Sequence, residues 1–221
     1  MLFRYLYTPI HDGSTFDECA HRTRLFSMVH LGVCLPLASF AMYTAPCVWC
    51  VDVLFERQHY LYEMALMNTN GYFIVDIYVL CRNWFKYKRV DGGALMFVHH
   101  ISSFVTYYNA HRSGIGKHAL TLFLLNETST VCLNGIHFYA RRPRIRLICG
   151  AGLLVTFFVF RILMFVQINY ILFRNWHVVT SIPLYMRANL LVVTTLFTWM
   201  NLFWFQKIVR GFIKALTKKK A

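Results

Sequence analysis

The sequence predicts an all-α membrane protein whose six transmembrane helices form a bundle around a central polar cavity. Three observations lead to this fold class. Of the 221 residues, 57% are hydrophobic and only 14% are charged, whereas a soluble domain carries about 25% charged residues. Cutting the chain at its charges leaves six segments, each long enough for the roughly 20 apolar residues that a spanning helix needs. Ionisable side chains recur within these segments, and such groups normally face the interior of a bundle.

The six predicted helices lie near 25–46, 62–82, 93–110, 118–139, 147–173 and 188–207. Their apolar runs are continuous, unlike the alternating segments of about ten residues in a membrane β-barrel. The longest connection, 47–61, has room for a short helix of its own. Pro143 excludes one continuous helix across the basic turn 140–146, because proline lacks the backbone N–H and clashes with the preceding turn.

The distribution of lysine and arginine predicts the orientation of the bundle. One side carries seventeen of these residues: three in the amino-terminal segment, four in 82–91, four in 140–146 and six from Lys207 onward. The other side carries five. Since basic residues concentrate on the cytosolic side, both termini are expected in the cytosol. The net charge of +14 then reflects orientation and contact with anionic head groups. No basic and aromatic module accompanies the charge, so no nucleic-acid partner is predicted.

Two short motifs bear on the compartment. "CVWC", from Cys47 to Cys50, is the one close pair among seven cysteines and falls on the non-cytosolic side. A disulfide or a redox pair competes with two separate thiols, and the absence of a thioredoxin-like context favours the thiols. Lys218 and Lys219 resemble a di-lysine retrieval signal, which predicts the endoplasmic reticulum. The alternative is a generic basic anchor at the cytosolic interface.

Ionisable groups at membrane depth cost several kcal/mol each, so they indicate a function or a specific partner. They are Asp76, His99 and His100, Glu127, and Arg161. Polar residues at helical spacing accompany them on the same faces, among them Tyr72, Ser103, Thr106, Thr130 and Asn134. Glu127 and Arg161 alone would be explained by mutual neutralisation, and hydroxyl and amide groups also join transmembrane helices. The number of groups and their spread over four helices favour a functional cavity.

The adjacent histidines predict acid–base or nucleophilic chemistry, because the ordinary histidine pKa lies near neutrality. Neighbouring residues on a helix point about 100° apart, so one histidine is expected to react and the other to orient it. The sequence leaves open which of the two faces the cavity. Asp76 or Glu127 would fix the tautomer. Two histidines and two carboxylates also form a permissible metal-ligand set, but adjacent histidines lack the spacing of four residues that faces one ion. No metal site is predicted.

Three stretches together resemble the TLC-domain family of multi-pass membrane proteins, which is related to the ceramide synthases. They are "NGYFIVDIYVL" (70–80), "FVHHISSFVTYYNAHRSG" (97–114) and "LLNETSTVCLNGIHFY" (124–139). The resemblance covers about residues 25–210. It implies a bundle of six or seven helices enclosing a cavity for a lipid chain.

In the ceramide synthases the histidine pair belongs to the acyl-transfer site, and His99 and His100 match that pair. The synthase motif continues with further aspartates, but no aspartate follows Gly114 here. The chain therefore resembles the short, non-synthase branch, which is associated with membrane-lipid homeostasis. The resemblance implies membrane lipids as partners, with acyl-coenzyme A and a sphingoid base as candidate substrates and no bound cofactor.

These observations lead to competing hypotheses about function. The first is a membrane protein of lipid homeostasis that binds a lipid or acyl chain in its bundle. The alternative is an acyl-coenzyme A-dependent N-acyltransferase, and a third is a structural partner of other membrane proteins. The expected organisation is a cytosolic segment 1–24, a TLC-like domain 25–210 and a basic cytosolic tail 211–221. The candidate catalytic residues are His99, His100, Asp76 and Glu127, and the candidate lipid-binding residues are Tyr72, Ser103, Thr106, Thr130, Asn134 and Arg161.

Overall fold

A computed structural model describes residues 15–55, 59–89 and 93–217, apart from the side chain of Leu54. Within these ranges the chain is helical and contains no β-strand. Lys218 and Lys219 of the retrieval signal lie outside the described residues. The elements are α1 Phe16–Thr44, α2 Val51–Leu54, α3 Tyr60–Tyr87, α4 Ala94–Ser113, α5 Lys117–Leu124, a 3₁₀ turn Leu125–Glu127, α6 Thr128–Phe138, α7 Pro143–Phe157, a π-helical segment Phe158–Leu163, α8 Met164–Arg174, α9 Trp176–Ser181 and α10 Leu184–Thr217.

Four helices in the described part of the chain are long and apolar enough to cross a membrane: Phe16–Thr44, Tyr60–Tyr87, Pro143–Arg174 and Leu184–Thr217. The protein is therefore a membrane protein. The two other predicted spans correspond to α4 and to the stretch from α5 to α6. Both carry much of the polar character of the predicted site, which lowers their hydropathy, and the second is interrupted by the 3₁₀ turn. A count of six spans remains a prediction.

Helix α1 begins nine residues before the predicted start at residue 25. Its first turn is closed by a capping box in which the Thr15 hydroxyl accepts a hydrogen bond from the Glu18 backbone N–H, and the Glu18 carboxylate accepts one from the Thr15 N–H. Such a box satisfies two backbone donors that a helix start otherwise leaves unpaired. The expected break at Pro143 is confirmed, since α7 begins at that residue. The expected short helix in the 47–61 connection is α2.

The bundle has a basic end, which carries the turn 139–142, the end of α3, the start of α4 and the end of α10. Ring contacts tie this end together: His21 of α1 meets Phe138 of α6, with centroids 5.5 Å apart. The guanidinium of Arg89 lies 4.5 Å from the ring centre of Phe16. The first turn of α1 is thus held against the ends of α3 and α6.

The opposite, disulfide end carries the bond between Cys47 and Cys50. The interpretation of these residues as two separate thiols is therefore wrong. The loop that the bond closes is fixed to the bundle by His118, whose Nε2–H donates to the Val48 carbonyl at 3.1 Å. The other ring nitrogen of His118 accepts from the Tyr62 hydroxyl at 2.7 Å. His118 is fully buried, so both of its polar atoms are satisfied, as a buried imidazole requires.

A charged cluster next to this loop joins α3, α4 and α5. The Lys117 ammonium contacts the Glu63 carboxylate, and Nδ1–H of His111 donates to the other Glu63 oxygen at 2.8 Å. Lys117 is only 4% exposed. Between α4 and α5 the chain reverses over three residues, and Gly114 and Gly116 there adopt φ values of 75° and 78°, which favour glycine.

Helices α6 and α7 pack closely because glycines lie at their crossing. A Cβ at Gly135 would stand 2.8 Å from the Cys149 Sγ, and one at Gly152 would stand 3.1 Å from the Cys132 Sγ. Small residues let helix backbones approach in a membrane, where dispersion contacts drive association. This contact fixes α6, which carries part of the predicted site, against α7.

Candidate functional site

A cavity of about 420 Å³ lies among the helices. Its wall draws on α1, α3, α4, α5, α6, α7, α8 and α10 and on the 3₁₀ and π segments between them. All ten residues singled out from the sequence line it: Tyr72, Asp76, His99, His100, Ser103, Thr106, Glu127, Thr130, Asn134 and Arg161. The structure thus brings together side chains that are up to 89 positions apart along the chain.

Asp76 of α3 and His100 of α4 form one polar contact in this cavity. Nδ1 of His100 lies 2.7 Å from Oδ2 of Asp76. The carboxylate oxygen lies off the ring N–H direction, so the contact is electrostatic rather than a well-aligned hydrogen bond. Both residues are buried, at 5% and 4% exposure. The geometry of the imidazole leaves Nε2 on the opposite edge of the ring from Asp76.

The buried face of α4 contains His100, Ser103, Thr106, Tyr107 and Ala110. This face is centred on the second histidine of the pair, a choice that the sequence leaves open. His99 lies at the edge of the cavity against α10, with ring centroids 5.1 Å from Phe197 and 5.4 Å from Trp204. Its Nδ1 is buried and meets no hydrogen-bonding atom of the described residues.

Arg161 organises a second polar cluster, opposite the 3₁₀ turn. Its Nη2 donates to the Glu127 carboxylate at 3.0 Å and to the Thr130 hydroxyl at 3.3 Å. Its Nε donates to the Ser129 hydroxyl at 2.9 Å and to the Asn126 carbonyl at 3.2 Å. The Thr130 hydroxyl in turn donates to Glu127 at 2.7 Å. A guanidinium with this many acceptors is well satisfied despite its burial.

Two helix irregularities make these bonds available. At the 3₁₀ turn 125–127 the Asn126 carbonyl accepts from Nε of Arg161 in addition to the nearby Ser129 hydroxyl. The π segment similarly leaves the carbonyl of Arg161 to accept from Nδ2 of Asn201 on α10, at 3.3 Å. Backbone groups in lipid need internal partners, and π segments often occur at functional sites. The side chain and the backbone of Arg161 therefore join three parts of the bundle.

The π segment also keeps one row of side chains, along α7, the π segment and α8, facing the cavity. Leu153, Phe157, Arg161 and Phe165 all line the cavity at a spacing of four residues. In a regular α-helix such a stripe turns by roughly 40° at each step, because one turn takes only about 3.6 residues. A π turn closes after more residues. It therefore reduces the drift and lets all four side chains face the same space.

The cavity differs at its two ends. Toward the basic end it is lined by Arg24, His137 and Lys207, and its three exposed lining residues are Leu133, His137 and Lys207. Toward the disulfide end the wall is buried and mainly apolar, with Leu120, Leu124 and Phe165 among its members. The hydroxyls of Thr69, Thr106 and Tyr107 on this side donate to backbone carbonyls. The cavity thus has a mouth at the basic end, a polar waist around Glu127 and His100, and an apolar closed end.

His30 of α1 was missed from the sequence. It lines the cavity at 7% exposure and stacks on Tyr72 with ring centroids 4.2 Å apart. Nδ2 of Asn68 donates to its Nδ1 at 3.1 Å. The rule that selected the other ionisable groups, burial in an apolar run, applies equally to this residue. Trp204 and Lys207 of α10 were also missed, because they lie where that helix reaches the basic end.

The titratable groups of the cavity form pairs rather than a ligand set. Among the residues that the structure describes, no three histidine, cysteine or acidic side chains are grouped so that they could hold a metal ion.

Comparison with known proteins shows which family the chain belongs to. The family model described as "TLC domain" matches residues 21–210. The chain belongs to the TLC-domain family. Two relatives are TLC domain-containing protein 4-A of Xenopus laevis and TLC domain-containing protein 4 of Xenopus tropicalis, each 26% identical over 164 residues.

That alignment covers 71% of this chain and 62% of each relative, so the chain spans less than two thirds of the length of these curated relatives. No solved structure matches the chain. The relatives are consistent with a member of the family outside the ceramide synthases. Family membership also relates the chain to membrane lipids.

Proposed function

We propose that this TLC-domain protein binds a lipid or acyl chain in its cavity and acts in membrane-lipid homeostasis. The shape and polarity of the cavity carry this proposal. Its volume of about 420 Å³ falls in the range of small-ligand sites. An apolar closed end suits a hydrocarbon chain, the waist suits a polar linkage, and the basic mouth suits an anionic head group.

Bound lipid can be measured directly. The full chain is purified in a mild detergent, and lipids that remain bound are identified by native mass spectrometry. Ser103→Phe places a ring in the cavity at a buried position (2% exposed), whereas Val105→Phe adds the same ring to the exposed face of α4. We expect stoichiometric lipid on the unmodified chain and on Val105→Phe, and its loss from Ser103→Phe of equal thermal stability. Equal lipid on all three, or none on the unmodified chain, would contradict the proposal.

The alternative function, an acyl-coenzyme A-dependent N-acyltransferase, is favoured by the contact between Asp76 and His100. The carboxylate would hold the ring in place, and Nε2 would act as the general base. In that reaction the nitrogen of a sphingoid amine attacks the thioester carbonyl, and Nε2 takes a proton from that nitrogen. The C–S bond then breaks, and the imidazolium returns the proton to the departing thiolate. The products are an amide and free coenzyme A.

Labelled long-chain acyl-coenzyme A, offered with a sphingoid base or a lysolipid, separates the two functions. An enzyme forms labelled amide or ester, loses this activity in His100→Ala and in the His99→Ala/His100→Ala double variant, and is strongly slowed in Asp76→Asn. A binding protein forms no product with any acceptor but retains the label. Transfer that is unchanged in His100→Ala would exclude the assigned base.

We further propose that the protein has six spans, lies in the membrane of the endoplasmic reticulum and has both termini in the cytosol. The excess of basic residues at one end supports this orientation, and the disulfide at the other end suits an oxidising lumen. A glycosylation acceptor inserted in the Cys47–Cys50 loop should be modified, and one inserted in 139–142 should not. The opposite pattern would reverse the orientation.

A further inference from the structure

We propose that the stacked rings of Phe123 and Phe165 set the greatest length of hydrocarbon chain that the cavity accepts. This inference rests on the proposed lipid-binding function. The ligand is an acyl chain joined through its carbonyl to a phosphate-bearing head group. Its chain fills the closed end, its carbonyl lies at the waist, and its phosphate lies at the basic mouth.

The two rings come from different parts of the chain and line the apolar end together, next to Leu120. Phe123 belongs to α5 and Phe165 to α8, and their centroids are 4.7 Å apart with an angle of 21° between the ring planes. Both line the cavity. Phe165 is only 3% exposed, so its ring is held by its surroundings as well as by its partner.

Behind the rings lie packed residues that do not line the cavity. A buried cluster lies there and includes Phe123 as a packed neighbour: Ala41, Met42, Leu61, Tyr62, Leu122, Met164 and Ile168. None of these seven residues belongs to the cavity wall. The hydrogen bonds of His118 and the Glu63 cluster reinforce the same region. A chain that reaches the two rings therefore meets a packed core.

The space between the waist and this barrier is short. Glu127 and Phe123 are four positions apart, which corresponds to roughly 6 Å along a helix axis, and Leu120 lies roughly 10 Å from Glu127 by the same measure. In the opposite direction His137 lies ten positions from Glu127, or roughly 15 Å. The apolar end is thus the shorter part of the cavity, and a change of one ring there alters its length appreciably.

Lys207 and Arg24 account for the orientation of the ligand. Both line the cavity at the basic end, and Lys207 is exposed beside the ring of Phe203, at 4.4 Å from its centre. Cations at this position favour a phosphate, and the opposite end of the cavity offers none. A phosphate-bearing lipid therefore enters with its chain first.

The test measures binding as a function of chain length. Two series of probes, acyl-coenzyme A and lysophosphatidic acid, each run from the hexanoyl to the stearoyl chain. Binding of both to the purified full chain is measured by equilibrium dialysis in detergent. The variants are Phe165→Ala, the milder Phe165→Leu in case the first fails to fold, and Phe157→Leu as the control. Phe157 is also a buried cavity phenylalanine, but it lies on the mouth side of Arg161.

In the unmodified chain we expect affinity to rise with chain length up to a limit and then to level off or fall. Each further methylene group that is buried contributes about fourfold in affinity. If Phe165→Ala opens room for about two more, the ratio of long-chain to short-chain affinity should rise about 15-fold. Phe165→Leu should shift the ratio in the same direction by less, and Phe157→Leu should leave it unchanged.

Different results would contradict different parts of the proposal. If the unmodified chain binds the probes but neither Phe165 variant changes the chain-length ratio, the role of the ring pair is wrong while lipid binding stands. A ratio that changes equally in Phe157→Leu also contradicts it, because general loosening would then be the cause. Failure of the folded, unmodified chain to bind any member of either series overturns the proposed function itself. Binding of only one series identifies the head group.

Discussion

Replacement of Glu127 by glutamine should destabilise the protein strongly, although the side chain keeps its shape. Arg161 would then be a buried guanidinium, 8% exposed, without an anionic partner. Removing one member of a buried ion pair costs about 3–5 kcal/mol. Glu127 is partly open to the cavity, at 26% side-chain exposure, and Arg161 would retain three other acceptors. We therefore expect about 3 kcal/mol, at the lower limit of that range.

Thermal unfolding in detergent, followed by circular dichroism, measures this effect. A loss of about 3 kcal/mol corresponds to a fall in Tm on the order of 10 °C for a chain of this size. Arg161→Met alone should have an effect of similar size, and Glu127→Gln/Arg161→Met should be less unstable than the sum of the two. Arg210→Met removes an exposed arginine and should leave Tm within about 2 °C. Additive effects of the two substitutions would refute the coupling of Glu127 with Arg161.

Three further predictions concern the packing and the two ends of the bundle. Gly135→Val, whose Cβ would meet the Cys149 Sγ at 2.8 Å, should lower stability by about 1–3 kcal/mol. Gly71→Ala, where a Cβ meets nothing within 4 Å, should leave stability unchanged or raise it by up to about 1 kcal/mol; equal losses in both would contradict the close helix crossing. The denatured chain should take up five alkyl groups without reductant and seven after reduction, by intact mass, and seven in both would exclude the disulfide. Lys117→Met should lower Tm more than Lys214→Met does, because Lys117 is buried against Glu63 whereas Lys214 is exposed.

The lining of the cavity follows from a simple energetic rule. Ionisable groups are expensive in lipid, so Asp76, Glu127 and Arg161 had to face one another or a cavity, and the structure brings them together. Their chemical roles stay predictions. His30 satisfies the same rule and was missed only because the rule was not applied to α1.

The sequence could not predict which face of α4 points into the cavity. His99 and His100 are adjacent, and either could serve as the centre of a polar face. The choice depends on the partner helices: Asp76 draws His100 inward, and the aromatic rings of α10 receive His99. Neither contact is encoded in the local pattern of α4.

Nothing in the sequence predicts the 3₁₀ turn or the π segment either. Residues 125–127 and 158–163 contain neither glycine nor proline, which are the usual signals of a helix irregularity. The distortions coincide with backbone bonds to Arg161 and Asn201, so they arise from tertiary contacts. The start of α1 is different, because it could have been predicted: Thr15 and Glu18 have the spacing of a capping box. The predicted start at residue 25 was instead taken from the apolar run.

The mouth at the basic end has a consequence for the exchange of a bound lipid. Under the proposed function, a lipid that enters beside Lys207 would meet the packed cluster behind Phe123 and would leave by the same end. Such a protein would sample the lipids at one face of the membrane, and the composition of that face would determine what it holds.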